Sequence, residues 1–116
     1  YDLRFPVWAR NRNDYDVLIN VANWPQARRK IWDTLLQARA IENQAFAIGV
    51  NRIGEDGFSI EHNGGSAVYD FKGYTLILAT DNVAQLTYVT LDMAVLRQFK
   101  QQFPAYLDAD NFYLTD

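Results

Sequence analysis

Cysteine is absent from the 116 residues, and the chain holds one histidine, one methionine and three prolines. Without cysteine there is no disulfide framework, no thiolate metal site and no thiol nucleophile among these residues. A metal needs several converging ligands, and His62 with Glu61 beside it falls short, so neither a metal nor a cofactor is expected. Positive charge is also scarce: 11 Lys and Arg stand against 14 Asp and Glu, a net charge of -3. That balance supplies no broad positive field for phosphates, which disfavours nucleic acid or an anionic membrane as a partner. Long apolar runs are missing too. The run from Ala45 to Val50 falls far below the roughly 20 residues that span a bilayer, and the chain reads as soluble. Tyr1-Asp2-Leu3-Arg4-Phe5-Pro6 has neither an initiator Met nor the basic-then-apolar layout of a signal peptide, and it is expected to continue from an upstream segment.

What is present suffices for a packed core. Hydrophobic residues make up 49% and aromatics 15%, which fits one domain over residues 1–116. Val17-Leu18-Ile19 reads as a buried strand ending near Val21-Ala22. Asn23-Trp24-Pro25 breaks it, and a helix is expected from Pro25 or Gln26 to Asn43, with Ile31, Leu35, Ala38 and Ile41 on its inward face. Ala45 to Val50 reads as a second core strand, giving a strand-helix-strand crossover. Residues 51–65 carry four glycines among polar residues and read as a loop. Ser66–Tyr69, Thr75–Leu78 and Ala84–Val89 form a predicted antiparallel meander, with turns at Asp70–Gly73 and Asp81-Asn82. Asp92 is placed to cap a helix whose face carries Val95, Leu96, Phe99 and Phe103 before Pro104 stops it. Residues 105–116 show no periodicity and are expected to pack against another surface.

Other chemistry is thin. Neither Ser59 nor Ser66 stands in a G-x-S-x-G elbow, so His62 reads as a loop histidine rather than a general base. Gly64-Gly65 lacks the third glycine of a dinucleotide fingerprint. Arg28-Arg29-Lys30 opposes the macrodipole at a helix start, and at least one of these cations is expected to have an anionic partner. Arg39 and Glu42, three residues apart, read as a structural pair.

Tyr1-Asp2-Leu3-Arg4-Phe5-Pro6 resembles the segment next to the nucleophile in amidases of the nitrilase superfamily, C-Y-D-x-R-F-P. The likeness runs on through Asn23-Trp24-Pro25, Ile31-Trp32, Gln37-Ala38-Arg39-Ala40-Ile41-Glu42-Asn43-Gln44 and Gly49-Val50-Asn51-Arg52-Ile53-Gly54. Gly65-Ser66 and the turn ending at Gly73 also match. Nearly the whole chain is covered, and within the superfamily it is most similar to omega-amidases, which hydrolyse the terminal amide of 2-oxoglutaramate or 2-oxosuccinamate.

The resemblance implies an α+β fold, the C-terminal part of an αββα sandwich that forms a homodimer in the cytoplasm and requires the N-terminal part of the same domain. It implies a Glu-Lys-Cys triad, with the cysteine directly before Tyr1 and the other two residues outside this chain. No residue of the chain is then catalytic through its side chain. The backbone N–H of Tyr1 is expected as an oxyanion donor, and its phenol as packing. Arg4 matches the arginine that clamps the carboxylate of the small-molecule amide substrate; an ion pair with Asp2 is the alternative. Asn23 and Trp24 are expected to wall the pocket, with Arg28 as a second anion contact, and core packing remains open for Trp24. The chain departs from the family pattern at Val7, where Glu is frequent, and at Gly65, where many omega-amidases carry His. Two other readings stay open: a neighbouring carbon-nitrogen hydrolase such as an N-carbamoyl amino acid hydrolase, and a non-catalytic binding domain.

Overall fold

The computed structural model describes residues 1–115. After a short 3-10 turn at Asp2–Arg4, the chain forms β1 (Val17–Ala22), a second 3-10 turn (Gln26–Arg28), α1 (Arg29–Asn43) and β2 (Phe46–Asn51). Next come a small hairpin, β3 (Ile53–Glu55) and β4 (Glu61–Asn63), then β5 (Ala67–Tyr69), β6 (Thr75–Leu78), α2 (Met93–Gln102) and a 3-10 turn at Ala105–Asp108. The main sheet has the order β1-β2-β5-β6. β1 and β2 are parallel, with Val17 opposite Phe46; the β2–β5 and β5–β6 pairs are antiparallel. The crossover and the first two strands of the meander match the sequence reading.

Residues 29–43 hold no Gly or Pro to break a helix. The chain leaves α1 at Gln44, whose left-handed φ of 47° turns it so that the Ala45 N–H donates back to the Ala40 carbonyl. The inward stripe is Trp32, Leu36, Arg39, Ala40 and Asn43, one position round from the expected face; Ile31 and Ile41 are exposed. Gly49 decides this. A Cβ there would clash with Leu36 and lie 2.6 Å from Trp32 Cζ2, so its absence lets the helix settle on β2 through those two side chains. With Ala47, Ala67 and Tyr69 they build the main core.

Four further expectations change. The 51–65 segment folds into the β3–β4 hairpin, whose turn closes on Asp56 Oδ1 accepting the Phe58 and Ile60 N–H groups at 2.8 and 3.1 Å. These two amides hold the Asp56 carboxyl below its usual range. His62 lies in β4 rather than in a loop; it is buried, with Nδ1 donating to the Ile60 carbonyl at 2.9 Å. Ala84–Val89 forms no strand. Its residues favour extension, yet extension becomes a strand only beside a hydrogen-bonding neighbour, and β6 ends the sheet. In the closing segment, Ala105–Asp108 turns as a 3-10 helix, and Arg12 donates to the Phe112 carbonyl at 3.0 Å. Asp116 lies outside the described residues.

α2 agrees with the sequence reading. Asp92 caps it by accepting from the Ala94 and Val95 N–H groups, and Leu96 seals a second cluster with Phe46 and Phe71.

Candidate active site

The site is assembled where the end of β1 meets the first turn of the chain. Leu3, 4% exposed, is driven into the core and anchors the Asp2–Arg4 turn. Behind it, Arg39 Nη2 donates to the Leu3 carbonyl at 2.5 Å, and Nη1 pairs with Glu42 at 2.8 Å. The expected structural pair is therefore present, and it also holds the turn to α1. Asn11 secures the loop beyond by gripping Asn43 through both its backbone N–H and its side-chain amide.

With the turn fixed, Arg4 stacks its guanidinium over the Trp24 ring, 5.2 Å from the centroid. It makes no ion pair with Asp2. Trp24 is both core and wall: it is buried, tilted against Trp32 at 5.6 Å, and its indole N–H donates to the Arg28 carbonyl at 2.7 Å. Tyr1, Arg4, Asn23, Trp24, Pro25 and Arg28 line one cleft of about 360 Å³. All five residues singled out in the sequence thus share it. The Tyr1 ring does not pack into the core; it is exposed and stacks with Phe5 at 6.1 Å.

Electrostatically the cleft carries two guanidiniums, and among the described residues neither Arg4 nor Arg28 pairs with a carboxylate. Arg29 is the cation of the triplet with anionic partners, Asp33 and Asp81, each at 2.8 Å. Burial works against its charge, and those two hydrogen bonds outweigh burial, so the guanidinium pKa rises. The same side chain explains Gly65. With φ at +80°, a side chain there would be strained and its Cβ would press on the Arg29 guanidinium, so glycine is favoured at this position. A larger hollow of about 540 Å³ lies between the sheet and residues 79–89, but Arg52 is its one charged lining residue. The smaller cleft, lined by Arg4 and Arg28, is therefore the candidate site.

Sequence reasoning missed one residue that organises this wall. Asn51 closes β2 as a buried amide, accepting from the Trp24 N–H at 2.7 Å and donating to the Trp24 carbonyl at 2.9 Å and the Gly64 carbonyl at 2.7 Å. The available signal was a polar amide ending an otherwise apolar run. No group of three or more potential metal ligands converges among the described residues.

Residues 1–101 match the family model described as carbon-nitrogen hydrolase. The chain belongs to the carbon-nitrogen hydrolase family. It is 51% identical over 116 residues to "Omega-amidase YafV" of Escherichia coli (strain K12), a match covering 98% of this chain and 44% of that protein. It is 38% identical over 110 residues to "2-oxoglutaramate amidase" of Paenarthrobacter nicotinovorans, covering 93% and 37%. Among solved structures, a CN-hydrolase superfamily protein of Xanthomonas campestris, XC1258, with an arsenic adduct in its active site, superposes with a TM-score of 0.95 at 45% identity, covering 99% of this chain and 46% of that one. The carbon-nitrogen hydrolase fold is thereby established for this α+β chain, which spans less than half the length of the curated relatives it matches.

Proposed function

We propose that this chain forms the substrate-facing part of a thiol amidase that hydrolyses the terminal amide of a small 2-oxo dicarboxylic acid monoamide to the acid and ammonia. The observation that carries the reading is the pair of unpaired guanidiniums, Arg4 and Arg28, facing one cleft beside Tyr1. A planar guanidinium holds a carboxylate through two parallel hydrogen bonds and so sets the distance of the far amide from the clamp. In this reading a cysteine bonded to the amino side of Tyr1 gives its proton to a glutamate and attacks the amide carbon. A lysine and the Tyr1 backbone N–H stabilise the tetrahedral oxyanion. The C–N bond then breaks as ammonia takes a proton, and water hydrolyses the resulting thioester to release the acid and restore the thiol.

Glutamate, lysine and cysteine belong to the N-terminal part of the same domain. Its seat is the sheet face opposite α1, where Ile19 (61%), Val21 (79%) and Val50 (45%) are exposed, an apolar area that favours a covering layer. The omega-amidase names of similar proteins support the substrate class. Homodimerisation and a cytoplasmic location complete the proposal; no helix among the described residues is long and apolar enough to cross a membrane.

The test uses the full-length protein, assayed for ammonia release from 2-oxoglutaramate and for hydrolysis of an N-carbamoyl amino acid. Turnover of the first with little of the second is expected, and Arg4→Ala should raise KM for it by about tenfold or more, as loss of a charge-assisted bond implies. Unchanged kinetics in that variant remove the clamp, and a residue other than cysteine before Tyr1 removes the amidase.

A further inference from the structure

We infer that Asn51 is the positioning residue that sets the site's selectivity for carboxylate-bearing amides, a reading that rests on the function proposed above. Asn51 does not line the guanidinium cleft; it lies behind the wall. Its amide spans both backbone groups of Trp24, accepting from the N–H and donating to the carbonyl, while its second N–H holds the Gly64 carbonyl. Every hydrogen-bonding site used here is directional, and the residue is 8% exposed, so solvent has little access to compete for them. Asn51 is itself fixed by Ser66, whose Oγ accepts the Asn51 N–H at 2.9 Å. Trp24 in turn carries both cations. Its ring is the platform under the Arg4 guanidinium, and its indole N–H pins the Arg28 carbonyl. The platform under the Arg4 guanidinium and the backbone from which the Arg28 side chain starts are therefore both tied, through Trp24, to one buried amide that touches neither arginine side chain.

An asparagine is required because the position must accept from one N–H and donate to two carbonyls at once. Aspartate has the same shape and keeps the acceptor, but it faces the Trp24 and Gly64 carbonyls with an oxygen that cannot donate. Repulsion should move Trp24 and with it the arginines, while the Asp2–Arg4 turn stays anchored by Leu3 and Arg39.

The experiment compares full-length wild type with Asn51→Asp on two amides of matched length, 2-oxoglutaramate and the uncharged valeramide. For the carboxylate-bearing amide, KM is expected to rise by about tenfold with kcat changed by less than about threefold, and KM for valeramide to stay put, as loss of oriented binding predicts. Equal losses on both amides, or an unchanged ratio, overturn the inference, because a purely structural defect lowers the active fraction for both. Ser66→Ala is the milder companion should Asn51→Asp fail to fold; a shift of about twofold in the same ratio is expected. Glutarate binding, read by calorimetry, separates the two levels. A wild type that binds glutarate but hydrolyses neither amide sinks the amidase reading, and glutarate binding unaltered in Asn51→Asp sinks the role of Asn51.

Discussion

The two faces of the main sheet use the same small and branched apolar residues but meet different fates. On the face toward α1, Trp32, Leu36, Ala40, Ala47, Ala67 and Tyr69 close into a layer from which solvent is excluded. On the other face, among the described residues, Leu96 of α2 and Phe71 cover the end near Phe46, and residues 79–89 stand off Ile48, Val50, Val68 and Ile77 across the larger hollow. Ile19 and Val21 on β1 and Val50 on β2 are left open. Hydrophobicity alone does not separate these faces, since the alternation of β1 and β2 supplies apolar side chains to both. What separates them is whether this stretch of chain also supplies the cover. The site sits at the edge of the closed face, where the buried layer gives Leu3 and Trp24 a rigid seat.

The largest test of the comparison is Trp32→Ala. Trp32 is fully buried, packs on Gly49 and donates its indole N–H to the Gly65 carbonyl at 2.7 Å. Denaturant unfolding of the full-length protein should show a loss of about 3–5 kcal/mol. Val21→Ser probes the open face. If the rest of the domain covers it, as proposed, the same measurement should show a loss of about 1–2 kcal/mol in the full-length protein; a change near zero would mean the face meets water. Asp92→Ala removes the cap of the helix that closes one end of that face and should cost about 1 kcal/mol, read as a lowered midpoint. The smallest effect is on pH dependence. Burial, and then Asp33, raise the Tyr69 pKa above 10.0, so the folded state keeps the phenol neutral while the unfolded chain ionises it. That contribution is present below pH 10.0 and is lost as pH rises through the folded value. Stability in Tyr69→Phe should fall less steeply over that alkaline range, and equal slopes would remove the phenol from the cause.

Legibility tracked the physics of each element. β1, α1, β2, β5, β6 and α2 were readable because continuous apolar runs, helical spacing and the Asp92 cap are local signals. The β3–β4 hairpin was not, since three-residue strands of mixed polarity leave no period to detect. Ala84–Val89 erred in the opposite direction, with strand composition but no strand neighbour. Arg4, Asn23 and Trp24 were singled out through the resembling motifs and Arg28 as a nearby cation, whereas the grip of Asn51 on Trp24 spans 27 positions and left only a polar amide at the end of an apolar run.

By itself the sequence determined that no thiol, disulfide or multi-histidine metal site resides in these residues, that a crossover precedes an antiparallel pair, and that its motifs resemble one hydrolase family. The tertiary structure alone decided which stripe of α1 turns inward, why glycine is favoured at residue 65, and that five residues spread over 28 positions line a single cleft. Composition and spacing act along the chain, while burial, close approach and the alignment of hydrogen bonds depend on groups that meet only after the chain has closed on itself.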